Sequence, residues 1–183
     1  MKLLTSFEGR IRRRDFWLGL LALIVLNAAL AFLVVPPLML ALGATVGYWL
    51  SVLLVYGVSL FVYAALATKR LHDRGKPAVP WVPIFLGVPL VVTVAQLLGI
   101  GFELLAVPAG ETGGALNARP IPDSGGMVEI ARPEGVLGLL LTGAAIVVSL
   151  WALVELGFRR GTDGPNRYGP DPLRSDGSKA PTA

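Results

Sequence analysis

The amino-acid sequence predicts an all-α protein, a four-span transmembrane helical bundle with both termini in the cytoplasm. Composition is the first observation behind this prediction. Hydrophobic residues make up 54% of the 183 residues and charged residues only 15%, whereas an ordinary soluble domain has about 25% charged residues. The second observation is that charged residues are absent from long stretches, which is typical of membrane spans. A disordered chain or a soluble globular domain does not fit this composition.

The uncharged stretches set the number of spans. The first, from Phe16 to Thr68, would be about 80 Å long as a single helix, far beyond the ~30 Å hydrocarbon core. It therefore predicts two spans joined by a turn at 43–47. Together the stretches predict a basic interfacial arm (1–15), a transmembrane domain (16–158) with spans near 16–42, 47–67, 80–106 and 135–157, an external loop (107–134), and a cytoplasmic Gly/Pro-rich tail (159–183).

Two features inside the first and third spans carry further predictions. Pro36 and Pro37 should kink or end the straight part of the first helix, because proline removes a backbone donor. Asn27 and Gln96 are strongly polar groups near mid-membrane. We expect them to approach each other as hydrogen-bonding contacts between helices, with Thr93 as the alternative partner of Asn27.

The distribution of basic residues predicts the orientation. Of the 16 Lys and Arg residues, all but Arg119 and Arg132 lie in the arm, in the segment between spans two and three, or in the tail. The positive-inside rule then places these three segments and both termini in the cytoplasm. The net charge of +4 has this topological explanation, so nucleic-acid binding is not predicted. A cleaved export signal is the competing interpretation of the N-terminus, but the apolar run continues well past any cleavage site.

The external loop 107–134 is rich in glycine and proline. We predict an irregular loop, because the prolines make poor strands. A small β-hairpin is the alternative, since Ser124-Gly125-Gly126 forms part of a turn signal and residues 127–131 alternate weakly.

Three motifs on the predicted cytoplasmic side hold most of the functional information. The first motif is residues 7–17 (FEGRIRRRDFW), the second is residues 69–76 (KRLHDRGK), and the third is residues 161–172 (GTDGPNRYGPDP). In this order they resemble the domain-of-unknown-function 805 family of small bacterial inner-membrane proteins. The resemblance rests on Phe7, Gly9, Arg10, Arg13, Phe16, Trp17, Arg70, Leu71, His72, Asp73, Gly161, Gly164, Asn166, Arg167, Tyr168, Gly169, Pro170, Asp171 and Pro172.

Lys69 stands where the family pattern has arginine, and the external loop is outside the resemblance. The resemblance implies an integral membrane protein of the bacterial inner membrane with no established activity. It therefore supplies no catalytic residues.

The first two motifs place basic side chains at a membrane interface, where Trp17 would be an interfacial anchor. They either bind anionic headgroups or only fix the topology. His72 and Asp73 invite a catalytic interpretation, but neighbours on a helix point about 100° apart. We therefore expect Asp73 to organise the basic segment and His72 to pack at the interface.

The third motif cannot be helical, because three prolines and two turn-forming glycines interrupt it. We predict that it folds back as a cap over the cytoplasmic ends of the helices, with Tyr168 buried. At least one of Asp73, Asp163 and Asp171 should then lie within salt-bridge distance of Arg10, Arg13, Arg70 or Arg74. The alternative is a free linear motif for a protein partner.

The sequence favours a non-enzymatic scaffold or adaptor whose basic cytoplasmic face binds anionic lipid or a protein partner, the latter including a second copy of the chain. A small-solute transporter or channel, and an enzyme acting on lipid headgroups, are the alternatives. We predict no catalytic residue, no metal site and no cofactor, since cysteine is absent and there is one histidine. The candidate binding residues are Arg10, Arg13, Arg14, Trp17, Arg70, His72, Asp73, Arg74, Asn166, Arg167, Tyr168 and Asp171.

Overall fold

The fold is mostly helical and contains one small antiparallel sheet. It is seen in a computed structural model that describes residue 4 and residues 6–111, 118–121 and 124–172. In order, the elements are α1 (Arg13–Leu33), α2 (Val35–Leu42), α3 (Ala44–Asp73), α4 (Trp81–Leu97), β1 (Phe102–Pro108), a 3-10 turn (Ala109–Glu111), β2 (Arg119–Pro120), β3 (Met127–Pro133), α5 (Gly135–Ala152) and a π-helical turn (Leu153–Phe158) that continues α5.

Three helical stretches of the described chain are long and apolar enough to cross a membrane: Arg13–Leu42, Thr45–Asp73 and Gly135–Phe158. Large apolar side chains cover their outward surfaces. Phe32 is 80% exposed and Leu40 is 87% exposed. A helix that is apolar all round suits a lipid environment, so these helices indicate a membrane protein.

The third predicted span, 80–106, is wrong at its outer end. Helix α4 ends at Leu97 and has 17 residues, a length of about 25 Å. Gly99 and Gly101 follow with φ values of 69° and 73°, a left-handed backbone that glycine adopts without steric cost. The chain then continues as strand β1. An uncharged stretch reports hydropathy and does not distinguish a helix from a strand.

The first two apolar stretches form a helical hairpin whose proline break was predicted correctly, whereas the predicted turn 43–47 is reduced to Gly43, because α3 begins at Ala44. Helix α1 ends at Leu33, and the two prolines occupy the first turn of α2. Backbone N–H groups in a first turn have no acceptor within the helix, so proline costs no helical hydrogen bond there. Gly43 turns the chain with φ 81°. A Cβ at Gly47 would lie 2.5 Å from the Met39 Cα, so glycine lets the backbones of α2 and α3 meet closely.

The sheet shows that two predictions were wrong: the all-α fold and the irregular loop at 107–134. Strand β3 lies between β1 and β2, antiparallel to both. The register pairs Phe102 with Pro133 and Pro108 with Met127, so both prolines are at strand ends, where the loss of an N–H is tolerated. Gly125 and Gly126 have φ values of 70° and 93° in the turn. The β-hairpin alternative was therefore closer to the structure.

The core lies toward the end of the bundle where the three motifs meet. Leu66, Leu71 and Leu156 are fully buried there, together with Phe16 of α1 and Phe85 of α4. A second cluster joins the C-terminal half of α4 to the sheet through Val92, Ala95 and Phe102. The helices are thus packed most tightly next to the basic segments.

The predicted contact between Asn27 and Gln96 or Thr93 is wrong. The Ser59 hydroxyl of α3 donates to Asn27 Oδ1 at 2.9 Å, and the Asn27 amide donates to the Leu23 carbonyl. The Thr93 hydroxyl donates to the Pro89 carbonyl within α4. Asn27 still contacts a neighbouring helix, but α3 is the helix that packs against this part of α1.

Candidate functional site

The three motifs come together at one end of the bundle; we call this surface, residues 7–17, 69–76 and 155–172, the basic face. Arg10 of the first motif links the other two. Its guanidinium donates to Asp73 Oδ1 at 3.1 and 3.2 Å, to the Thr162 carbonyl at 2.7 Å and to the Gly164 carbonyl at 2.8 Å. Backbone carbonyls of the third motif therefore hold an arginine of the first.

Asp73 is the residue that contacts all three motifs, through its carboxylate and its backbone carbonyl. Arg10 binds one carboxylate oxygen and Arg70 the other. The Asp73 carbonyl accepts hydrogen bonds from the Thr162 amide at 2.8 Å and hydroxyl at 3.0 Å. A Cβ at Gly161 would lie 2.6 Å from Asp73 Cγ, so only glycine lets the third motif approach this closely. The predicted organising role of Asp73 matches this geometry.

Arg70 is fully buried, at 0% exposure. Because α3 continues to Asp73, Arg70 and Asp73 share a helix face at the i,i+3 spacing. The guanidinium also donates to the carbonyls of Leu156, Ile11 and Arg159. These bonds satisfy a charge whose desolvation would otherwise be costly.

Glu155 is a second buried carboxylate, and it precedes Arg159 by four residues in the turn that continues α5. Arg159 does bind it, at 3.1 Å. Arg74 also binds it, and Lys76 Nζ lies 2.6 Å from its Oε1. Glu155 thus connects the second motif to the end of α5. An ionisable residue within an apolar span is itself a signal for such a role.

The third motif docks on the end of α3. The ring of Tyr168 stacks on His72 with centroids 3.8 Å apart, and the Asn166 side chain donates to the His72 carbonyl at 2.9 Å. Arg167 donates to the Gly75 carbonyl. The predicted salt bridge is present between Arg10 and Asp73, and the bonds from Thr162 and Asn166 dock the third motif on α3, as expected of the predicted cap over the residues that the structure describes. Tyr168 is half-buried, not largely buried as predicted.

A cavity of about 700 Å³ opens between the first motif and the third. Trp17 forms one wall: its indole N–H donates to the Gly157 carbonyl at 3.2 Å, and its ring meets Phe158 edge-on. The charged residues that line the cavity are Arg12, Arg13, Arg14, Arg70, Asp73, Arg160, Asp163 and Asp171.

The structure divides the predicted site residues between two places. Six line the cavity: Arg13, Arg14, Trp17, Arg70, Asp73 and Asp171. The other six lie outside the cavity and make contacts that join the motifs: Arg10, His72, Arg74, Asn166, Arg167 and Tyr168. Sequence reasoning missed Arg12, Arg160 and Glu155, although the first two stand in basic runs. Within the described residues, no group of three metal-ligating side chains is close enough to hold an ion.

Comparison with protein families gives one match. A family model described as "Protein of unknown function (DUF805)" matches residues 4–170. Searches of curated proteins and of solved structures gave no match. The match covers most of the chain and includes the first two motifs and the third as far as Pro170, in agreement with the resemblance of their residues. The chain therefore belongs to the DUF805 family.

Proposed function

We propose that this protein crosses the bacterial inner membrane four times, with both termini and the basic face in the cytoplasm. The three membrane-length helices and the shorter α4 supply four crossings. The basic residues support the orientation, because within the described chain only Arg119 and Arg132 lie at the sheet end. Local thinning of the bilayer beside α4 would accommodate its length.

Reporter fusions test this topology. A reporter fused after Lys76 or after the C-terminus should report the cytoplasm, and one inserted at Gly125 should report the outside. A cytoplasmic signal at Gly125 would contradict four spans.

Within this topology, the protein acts as a non-enzymatic scaffold whose basic face binds anionic lipid headgroups. The observation that carries this proposal is the arginine-lined cavity beside Trp17. A tryptophan near the end of a membrane helix belongs to the headgroup level, so the arginines of α1 would meet headgroup phosphates there. Each basic residue close to an anionic surface contributes about 1 kcal/mol of attraction.

Native mass spectrometry of the protein released from lipid nanodiscs tests the binding. Nanodiscs of phosphatidylcholine with phosphatidylglycerol should leave the anionic lipid bound. The variant R12Q/R14Q should retain less of it, and the matched control R119Q/R132Q, at the other end, should retain as much as the wild type. Equal retention by both variants would contradict the proposal. A co-purifying protein or second copy of the chain would appear as added mass and favour the adaptor alternative.

Transport of a small solute is the second candidate, favoured by two cavities of about 360 and 480 Å³ between the helices. They share Tyr56, Leu60, Leu90 and Thr93, so they adjoin at mid-membrane. Their polar side chains are hydroxyls, the Gln96 amide and, at the sheet end, the guanidinium of Arg119, so one charged side chain lines them and no chain of charges connects them. Substrate-dependent flux in proteoliposomes would establish this function.

Enzyme action on headgroups is the candidate with the least support in the geometry. His72 stacks on Tyr168 and does not line the cavity, whereas Asp73 does. Both oxygens of Asp73 are bound by arginine, so the carboxylate is poorly placed to accept a proton. H72A should leave any turnover unchanged, and loss of turnover in H72A would favour the enzyme.

A further inference from the structure

The arginines that line the cavity differ in how far the protein already satisfies them. Arg70 is bound by Asp73 and three carbonyls. Arg13 donates to one carbonyl, that of Phe158 at 3.2 Å. The side chains of Arg12, Arg14 and Arg160 make no hydrogen bond or ion pair with any described residue. Three guanidinium groups on one cavity are thus available to a ligand.

The acidic residues of the cavity do not balance these charges. Asp73 is held between Arg70 and Arg10, and Asp171 accepts a hydrogen bond from the Gly164 amide at 2.9 Å. Asp163 is exposed to solvent. Five arginines against three aspartates leave a formal surplus of two positive charges on the lining.

We propose that this cavity binds a phosphomonoester, a terminal phosphate group carrying close to two negative charges; this rests on the proposed binding of anionic headgroups and names the class. A phosphomonoester has a charge of about −1.5 to −2 at pH 7, which matches the surplus. A phosphodiester headgroup has one negative charge on its phosphate and leaves part of the surplus unbalanced.

The geometry of guanidinium groups supports the same ligand. Arginine presents a planar fork of donors that binds two phosphate oxygens at once. A terminal phosphate offers three oxygens, so three separate arginines can each reach it. A diester has only two free oxygens for the same three donors.

The walls of the cavity indicate where the phosphate comes from. Trp17, Phe158 and Pro172 form an apolar part of the lining next to the arginines. A volume of about 700 Å³ is within the range of small-molecule sites. A membrane lipid would place its phosphate among the arginines and its glycerol and chains toward Trp17. A soluble phosphomonoester has the same recognised group, so the two sources must be separated by experiment.

The test compares two anionic lipids in nanodiscs that contain the full chain. One set contains phosphatidate and the other phosphatidylglycerol, in phosphatidylcholine, at matched total negative charge. Native mass spectrometry should find phosphatidate retained about tenfold more than phosphatidylglycerol, the factor expected for one further charge-assisted hydrogen bond. Glycerol 3-phosphate and inorganic phosphate, added separately, should displace it only weakly.

Single variants locate the site. R12Q, R14Q and R160Q should each reduce the preference for phosphatidate, while R132Q, which removes a charge at the sheet end, should not. These three side chains make no hydrogen bond or ion pair with a described residue, so the melting temperature of each variant in micelles should match the wild type. A variant that loses the preference without melting earlier supports a direct role in binding.

The outcomes separate this inference from the proposed function. Equal retention of both lipids would overturn the phosphomonoester assignment and leave anionic-lipid binding intact. Retention of neither lipid would contradict the proposed function itself. Binding of glycerol 3-phosphate in neutral nanodiscs, lost in R160Q, would support the phosphomonoester site with a soluble ligand in place of a lipid.

Discussion

The two ends of the molecule both contain ion pairs, but the pairs have different structural roles. At the basic face, Asp73 and Glu155 are buried, and each binds cations from more than one segment of the chain. At the sheet end, Arg132 and Glu103 are 66% and 42% exposed and belong to paired strands. The buried carboxylates join segments that are far apart in sequence, whereas the exposed pair lies on strands that backbone hydrogen bonds already hold together.

The largest effect is expected from D73N. Removing this charge leaves Arg10 and Arg70 without a counter-ion in a buried site, which should lower the free energy of unfolding by about 3–5 kcal/mol. Denaturant unfolding in detergent micelles measures it, with D163N as the control, since Asp163 is an exposed aspartate of the same face. A loss no larger than in D163N would mean that burial does not distinguish the two ends.

E155Q should have the second largest effect. Its three cations lose their shared carboxylate, but Lys76 and Arg159 are partly exposed and regain water. The free energy of unfolding should fall by about 1.5–3 kcal/mol, measured in the same way. If E155Q costs more than D73N, the junction between α5 and the second motif stabilises the fold more than the link between the first and third motifs.

D171R tests the docking of the third motif separately from the spans. Asp171 is buried and accepts the Gly164 amide, so a cation there should release the segment at a cost of about 1–2 kcal/mol. Limited proteolysis should cut within 161–172 faster than in the wild type, while the helical circular dichroism is unchanged. Cleavage as slow as in the wild type would show that Asp171 is not needed for docking.

The smallest effect is expected for the exposed pair at the sheet end. A double-mutant cycle on Glu103 and Arg132, with both changed to alanine singly and together, should give a coupling energy of about 0–1 kcal/mol. The same cycle on Arg10 and Asp73 should give a larger value. Equal coupling energies would remove the contrast between the two ends.

Some of this architecture was predictable because it depends on local properties of the chain. Runs without charge indicate where membrane helices lie, and Pro36, Pro37 and Gly43 act on the backbone at their own positions. The clustering of basic residues in three segments, and the rigid Pro/Gly pattern of residues 161–172, likewise required no knowledge of the packing. These features correctly indicated a membrane protein with a docked third motif.

Other features depend on which element lies next to which, and only the tertiary structure decided them. The first part of β1 was assigned to a helix, because it continues an apolar run and the sequence does not show that β3 will pair with it. Asn27 bonds to Ser59 of α3 and to neither predicted partner, since the depth of a residue in the membrane does not identify the helix beside it. Glu155 became a shared counter-ion only when residues 74–76 were brought beside α5. That some arginines of the cavity pair with no described residue is a property of the packed surface. Hydropathy and charge can be summed along the chain, whereas the partner of a side chain depends on which segments pack together.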